Sequence, residues 1–472
     1  MSVYQRSVFF FIRASVFFFF LTLAKQGKAQ EKEIPKQTDT TTLQYALRKG
    51  RFDAHFRLYY MSTNNERPLT DYYALAFGGG LKYETGKFKN FQVGIGGFFI
   101  WNLSSSNLAV PDSVTGVKNR YEIGQFDMEN PKNKNDMDRL EDFYLKYSNK
   151  KIVIVLGKQV IQTPFINPQD GRMRPTAEQG LWATFKPSDK LKLYGSWLTK
   201  ITPRGTVRWF DIDESIGVYP SGVNIDGKKS NYKGNLNSSG IGIVGAQYSI
   251  TKRISIQFWE QYTDRLFNTM MLQADGEWPT GAFGKLFGGF QYIFQNPLKD
   301  GGNADPSKTY FDPAQRSQVF GLRGGYQFKE NIFRINATRI TADGRFLMPR
   351  EWGREPFYTF MPRERNEGSG DVRAVTLNYL KAWPRQRVKL ELGYGYYDLP
   401  DVKNYRLNKY QMPSYHHFLT DLKYAFGGFM KGLNAEILYV YKKGAANTYE
   451  DLRFVINKVN MHHFNIIINY FF

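Results

Sequence analysis

The chain of 472 residues has no cysteine and only five histidines. Beyond residue 30 it has no apolar stretch approaching the ~18 residues of a membrane-spanning helix. Each absence excludes something. Without thiols there are neither disulfides nor cysteine-based metal sites, so hydrogen bonds and packing must hold the fold together. Only His55, His416, His417, His462 and His463 could act as imidazole bases, and neither Gly-x-Ser-x-Gly nor His-Glu-x-x-His occurs. The paired histidines are chain neighbours, so in a strand they point to opposite faces and cannot share one metal; they read as interfacial residues. No catalytic residue, metal ligand or cofactor is therefore assigned.

What is present begins with a leader. Arg6 and Arg13 precede an uncharged core over residues 14–24, and Gly27-Lys28-Ala29 follows with small residues at the cleavage-defining positions. The core is too short to span a bilayer, so residues 1–29 read as a cleaved signal peptide. Residues 30–50 then form a periplasmic lead-in, and 51–472 one unit. Formal charge is +21; loss of Arg6, Arg13, Lys25 and Lys28 with the leader leaves +17. In an exported chain with no nucleic-acid-binding module, that excess points to anions and solubility, not to nucleic acid.

The dominant pattern has a period of two. In RFDAHFRLYYM, Phe52, Ala54, Phe56, Leu58 and Tyr60 share one face, which is strand spacing. Residues 91–101 and 387–397 repeat it. The same reading places strands near 72–84, 139–149, 152–159, 180–186, 190–200, 240–250, 253–263, 266–275, 284–295, 316–328, 331–341, 371–381, 415–426, 432–443 and 461–472. That makes about 18 strands. Tight turns such as Asn149-Lys150-Lys151, Thr251-Lys252 and Lys329-Glu330 alternate with long segments at 102–138, 160–179, 201–239, 296–315, 342–370 and 444–460.

A soluble sandwich has no reason to keep that parity. A transmembrane antiparallel β-barrel with short periplasmic turns and long extracellular loops does. Aromatic residues are 17% of the chain, and Phe91, Trp101, Tyr394, Tyr396 and Phe472 recur at strand ends on the presumed lipid side, where an interfacial girdle belongs. The final stretch HHFNIIINYFF puts Phe464, Ile466, Ile468, Tyr470 and Phe472 on one face. That face belongs in lipid, with the last strand closing against the first so that no edge is left.

Four blocks resemble the OprD-type outer-membrane porins. They are RFDAHFRLYYMSTNNE, DYYALAFGGGLKYETGKFKNFQVGIG, LKYSNKKIVIVLGKQVIQTPFINPQDGRMRPTAEQGL and EWGREPFYTFMPRERNEG. The third is the most specific: a strand leads into a proline-bearing loop ending Asp-x-Arg-x-x-Pro, here Asp170, Arg172 and Pro175, with Gly171 between the aspartate and the arginine. The resemblance implies an 18-stranded monomeric pore in the outer membrane, narrowed by a loop folded inward and passing small solutes, often carboxylates or amino acids. Some relatives take oligosaccharides. Tyr470 and Phe472 resemble the C-terminal signal read by barrel-assembly machinery.

Candidate pore residues follow. The segment 160–179, stiffened by Pro164, Pro168 and Pro175, offers Gln169, Asp170, Arg172 and Arg174 for an aperture; the residues alone favour an exposed loop whose charges meet only water, and the resemblance reverses that preference. A second constriction would carry Arg354, Arg363 and Arg365. Strand parity sends Arg57, Lys146, Lys192, Arg334, Lys389 and Lys423 to the lumen, with Lys82, Arg323 and Lys442, against Asp53, Glu84, Asp142, Glu391, Asp421 and Glu436. For any one of these, a transverse salt bridge stiffening the wall is the plainer role. A wall-embedded hydrolase and a receptor or adhesin working through its loops are the competing classes.

Overall fold

The computed structural model describes residues 42–169 and 171–472. The signal-peptide assignment, most of the lead-in and Asp170 lie outside the described residues. Nineteen strands follow in order: β1 Arg51–Asn65, β2 Tyr72–Glu84, β3 Phe91–Ser105, β4 Arg139–Ser148, β5 Ile152–Gln159, β6 Ala177–Phe185, β7 Leu191–Thr202, β8 Phe210–Asp211, β9 Ile241–Ser249, β10 Ile254–Thr263, β11 Phe267–Pro279, β12 Lys285–Pro297, β13 Ser317–Phe328, β14 Asn331–Ile340, β15 Val372–Trp383, β16 Val388–Asp398, β17 Tyr415–Ala425, β18 Leu433–Gly444 and β19 Met461–Phe471. The two-residue β8 pairs only with Lys200 and Ile201 of β7 and belongs to a loop. The other eighteen pair antiparallel with their neighbours, and β19 returns to β1 with Leu58 opposite Ile468. The barrel is closed.

All eighteen wall strands fall where the period-two pattern puts them. The main differences are extensions. β1 runs on through Ser62–Asn65 and β6 starts at Ala177, because these polar residues face packed loop rather than lipid: Thr63 is fully buried and donates to Glu122 Oε1 at 2.6 Å. β8 carries no alternation and left no trace in the sequence.

The two faces of the wall differ as the alternation demands. Leu156, Val244 and Leu322 are each more than half exposed on the outside, an arrangement that water would penalise and hydrocarbon favours. Gln291, His463 and Asn465 are fully buried on the inside. Among the described residues no helix is long and apolar enough to cross a membrane.

Turn chemistry fixes the short connections. Asn149 Oδ1 accepts from the backbone of Lys151 and Ile152, both at 2.8 Å, and Thr251 Oγ1 does the same for Arg253 and Ile254 at 3.1 Å. These are side-chain-closed turns that need no long loop. Between β11 and β12, Gly284 sits at φ +116° while Thr280 N–H donates to its carbonyl at 2.7 Å; a side chain would strain that backbone. At this same end a short helix, Leu43–Arg48, is capped by Thr42 and accepts from Gly86 N–H through Ala46 O at 2.8 Å.

The loops at the opposite end turn inward and carry their own core. Phe165, Ile166, Phe346, Trp352 and Phe357 pack against wall residues Ile201, Ile241, Trp259, Ile293 and Val319. A barrel of this strand number is wide enough to leave an aqueous lumen. Here the loop end of that lumen is partly filled by folded polypeptide.

Candidate functional site

Three loops meet inside the barrel: 160–176 between β5 and β6, 203–240 between β7 and β9, and 341–371 between β14 and β15. Asn167 ties the first to the third, donating from Nδ2 to Arg354 O at 3.0 Å and accepting from Arg354 N–H at 3.1 Å. Glu351 ties the third to the second by accepting from the backbone of Gly217 and Tyr219 at 3.0 and 2.8 Å. Trp352, fully buried, donates from its indole to Ser215 Oγ at 2.8 Å. These hydrogen bonds cross-link the three loops into one layer.

Below this layer is a cavity of about 580 Å³. Loop residues Arg120, Arg172, Arg204, Arg350, Arg354, Arg363 and Arg365 line it together with wall residues Arg57, Arg323, Arg334 and Lys423; the acids are Glu355, Glu364, Glu391, Asp421 and Glu436. Some of these charges cancel. Arg334 meets Glu391 at 3.1 Å, Lys423 meets Asp421 at 3.0 Å, and Arg350 meets Glu367 at 2.7 Å. Arg172, Arg204 and Arg363 form no ion pair among the described residues, and the Nε atoms of Arg172 and Arg204 are buried without a hydrogen-bond partner.

These three guanidiniums converge on one point. A Cβ placed on Gly171 would lie 3.3 Å from Arg363 Nη1 and 3.4 Å from Arg204 Nη1, so a bare backbone is what lets them approach. Burial lowers the pKa of Arg172 well below the usual arginine range, and the neighbouring Arg363 and Arg204 push it the same way. Burial likewise lowers that of Arg204, with Tyr219 opposing, and takes Arg365 down to about 10 against the pull of Glu355. Guanidinium stays protonated even so. The strain of crowding like charges is what an anion would relieve.

The sequence candidates divide between the cavity and its frame. Gln169, Arg172, Arg354, Arg363, Arg365, Arg57, Arg334 and Lys423 line the cavity. Arg174, two residues from Arg172, is buried behind it and donates to Met137 O at 2.9 Å and Thr206 O at 2.5 Å; its charge pins backbone carbonyls. Arg57 bridges wall and loop, donating to Asn469 Oδ1 at 2.7 Å and Arg172 O at 2.5 Å. Lys146 pairs with Glu84 at 3.1 Å, and Lys82 with Asp142 at 2.7 Å, near the turn end. Lys192 and Lys389 are exposed at that same end. Lys442 donates to Arg363 O at 2.6 Å.

Arg204 and Arg120 were not singled out by sequence. The signal for Arg204 was available: Thr202-Pro203-Arg204-Gly205 follows directly on β7, so a sharp turn must leave that arginine at the barrel mouth. The histidines need correction. His416 and His462 stand on the outside, accepting from or donating to Tyr394 and Tyr439 hydroxyls at 2.9 and 2.7 Å, as interfacial residues do. His417 and His463, one residue on, are fully buried inside.

Residues 120–329 match the model described as outer membrane porin, OprD family. Over that segment the chain resembles the OprD-type outer-membrane porins. The matched porin segment includes β4 to β13 and the 203–240 loop, which sequence reading alone left unassigned. Solved porin structures share the fold: OccK9 (OpdG) of Pseudomonas aeruginosa at 14% identity, covering 90% of this chain and 99% of that one with a TM-score of 0.70; OccAB2 of Acinetobacter baumannii at 13%, 90% and 98%, TM-score 0.69; and OccD3 (OpdP) of Pseudomonas aeruginosa at 12%, 90% and 92%, TM-score 0.67. No curated protein matches the sequence. The OprD family consists of channels rather than enzymes.

Proposed function

We propose that the barrel is a water-filled channel for passive, partly selective uptake of small carboxylate-bearing solutes: organic acids, amino acids or short peptides. The observation that carries this is the cluster of Arg172, Arg204 and Arg363, cations with no carboxylate partner among the described residues, at the level where inward loops narrow the lumen. Two unit charges 4 Å apart attract by ~1 kcal/mol in bulk water and ~4 kcal/mol where protein excludes solvent. A carboxylate is therefore drawn to this level, and an attraction of this size still lets it leave, which conduction requires. In this reading the long loops face outward, the chain works as a monomer, and the aromatic rings of Tyr470 and Phe472 present the final strand to barrel-assembly machinery.

A second reading, uptake of neutral oligosaccharides, has one observation in its favour. Tyr194 stacks on Trp259 with ring centroids 4.9 Å apart, beside a row of inward glutamines; rings and amides suit sugars. Purified protein in a planar bilayer under a salt gradient decides between them, together with liposome swelling in dicarboxylates, amino acids and short oligosaccharides. Anion-preferring current with fast carboxylate swelling supports the first reading. Cation preference, or swelling by sugars alone, overturns it.

A further inference from the structure

One buried chain of hydrogen bonds leads away from the cavity, starting at Arg363 in its lining and continuing through residues that do not line it. Arg363 Nε donates to His463 Nε2 at 2.8 Å. On the far side of that ring, Nδ1 stands 2.9 Å from Thr63 Oγ1, and Thr63 Oγ1 stands 2.6 Å from Glu122 Oε1. Asn119 Nδ2 reaches Glu122 Oε2 at 2.6 Å. Thr63, Glu122 and His463 are all fully buried.

The protons in this chain can be assigned in only one order. A guanidinium N–H can only donate, so His463 Nε2 accepts and its single proton is on Nδ1. Thr63 therefore accepts from His463 and must give its own proton to Glu122. The amide of Asn119 is oriented independently, because its Oδ1 accepts from Ile123 N–H at 2.8 Å, which leaves Nδ2 to donate. Both oxygens of Glu122 thus act as acceptors; burial raises its pKa and the hydrogen bonds from Asn119 and Thr63 oppose that rise. The chain runs in one direction, from a cation at the cavity to a buried carboxyl group in the 106–138 loop.

Its effect is to fix Arg363. The same guanidinium donates from Nη2 to Tyr59 Oη and Asn465 Oδ1, each at 2.7 Å. With Nε and Nη2 held, Nη1 is aimed at Gly171 on the tip of the inward loop. A long arginine side chain left free in water samples many rotamers, and a mobile charge is a poor selector; pre-organisation removes that freedom before a solute arrives.

We infer that His463, Thr63 and Glu122 are positioning residues for charge selection: they hold the Arg363 guanidinium stationary at the constriction, and ion preference depends on them although none of them meets the solute. This rests on the anion-selective reading above.

The test compares reversal potentials of purified, folded channels in a salt gradient, with folding scored by heat-modifiable gel mobility. Arg363→Gln should lower the anion-to-cation permeability ratio about threefold. Thr63→Val, which keeps shape and deletes only the hydroxyl, and His463→Phe should each lower it by a comparable factor and raise open-channel noise. His463→Gln, which can still accept on one side and donate on the other, should restore most of the ratio. The double variant Arg363→Gln with Thr63→Val should match Arg363→Gln alone, since the two act as one unit. If Arg363→Gln shifts the ratio while Thr63→Val and His463→Phe leave it at the wild-type value, or if the double variant is additive, the relay is overturned and the anion reading stands. If Arg363→Gln itself changes nothing, both fall.

Discussion

The two sides of the lumen solve the problem of an inward polar face differently. Along β9 to β12, Gln247, Gln257, Gln273 and Gln291 stand directly opposite one another on successive strands. Gln291 donates to Gln273 at 3.0 Å, Tyr194 to Gln247 at 2.9 Å and the Trp259 indole to Gln257 at 2.9 Å. This row is self-bonded and its own side chains are uncharged, with Asp275 at its edge accepting from Gln273 Nε2 at 2.7 Å. Along β14 to β18, Glu391 lies opposite Asp421, and Lys389 opposite Lys423. Like charges facing each other destabilise a sheet, and here Arg334 and Lys423 interleave to offset them. Neither wall is left with a large net charge at its centre. The excess of cations comes instead from the loops, so under the proposed function shape and solvation belong to the wall and charge selection to the layer folded into it.

Several changes would break or sharpen that contrast. The largest effect should come from reversing Arg172 and Arg204 together to glutamate: the reversal potential should change sign, with the anion-to-cation ratio falling on the order of tenfold, equivalent to about 1.4 kcal/mol. Replacing Arg334 by glutamine leaves Glu391 without its partner at 3.1 Å, and the ratio should fall two- to threefold by the same measurement. A smaller effect should follow pH. Burial raises the Glu364 carboxyl, Lys442 opposes this and Glu355 reinforces it, leaving it at about 7. Glu364 is therefore neutral in acid and gains a negative charge as pH rises through 7, so anion preference should decline between pH 6 and 8, by less than about twofold. Gln257→Leu on the neutral wall should leave ion preference unchanged; a shift comparable to Arg334→Gln would erase the distinction between the two sides.

The smallest effect concerns the rim. Burial raises the Asp112 carboxyl, but hydrogen bonds from the Thr70 and Thr115 side chains and backbones outweigh it and hold it at about 2. Since this is below the unfolded value of about 3.8, its contribution is complete above that pH and is lost as pH falls toward 2. Limited proteolysis of the 106–138 loop should accelerate only in that window.

Much of the wall was legible because a strand in a bilayer must alternate, and alternation survives in one dimension. The loop layer was not legible to the same degree. Arg172 and Arg174 sit two positions apart in a segment whose sequence gives no reason to separate them, yet one lines the cavity and the other is locked onto the carbonyls of Met137 and Thr206. What distinguishes them is the arrival of segments far away in the chain. His462 and His463 make the converse point: parity assigns them opposite faces without difficulty, but only the approach of Arg363 and Thr63 turns the second into part of a buried chain. Local period reads which way a side chain points, not what comes to meet it.

The seam between β1 and β19 has one further consequence. Ala54 and Phe472 exchange backbone hydrogen bonds at 3.0 and 3.1 Å, and Arg57 reaches Asn469 across 412 positions. Seventeen successive pairings of the wall could in principle zip up as each strand arrives, yet the ring stays open until the farthest pair in the chain has met. Loop-closure entropy makes that meeting slow, and until it happens two raw edges are available to any neighbouring strand. Assembly of such a cylinder is thus all or nothing at its last step, and a machine that grips the trailing aromatic strand would be acting on the one event that decides between a channel and an aggregate.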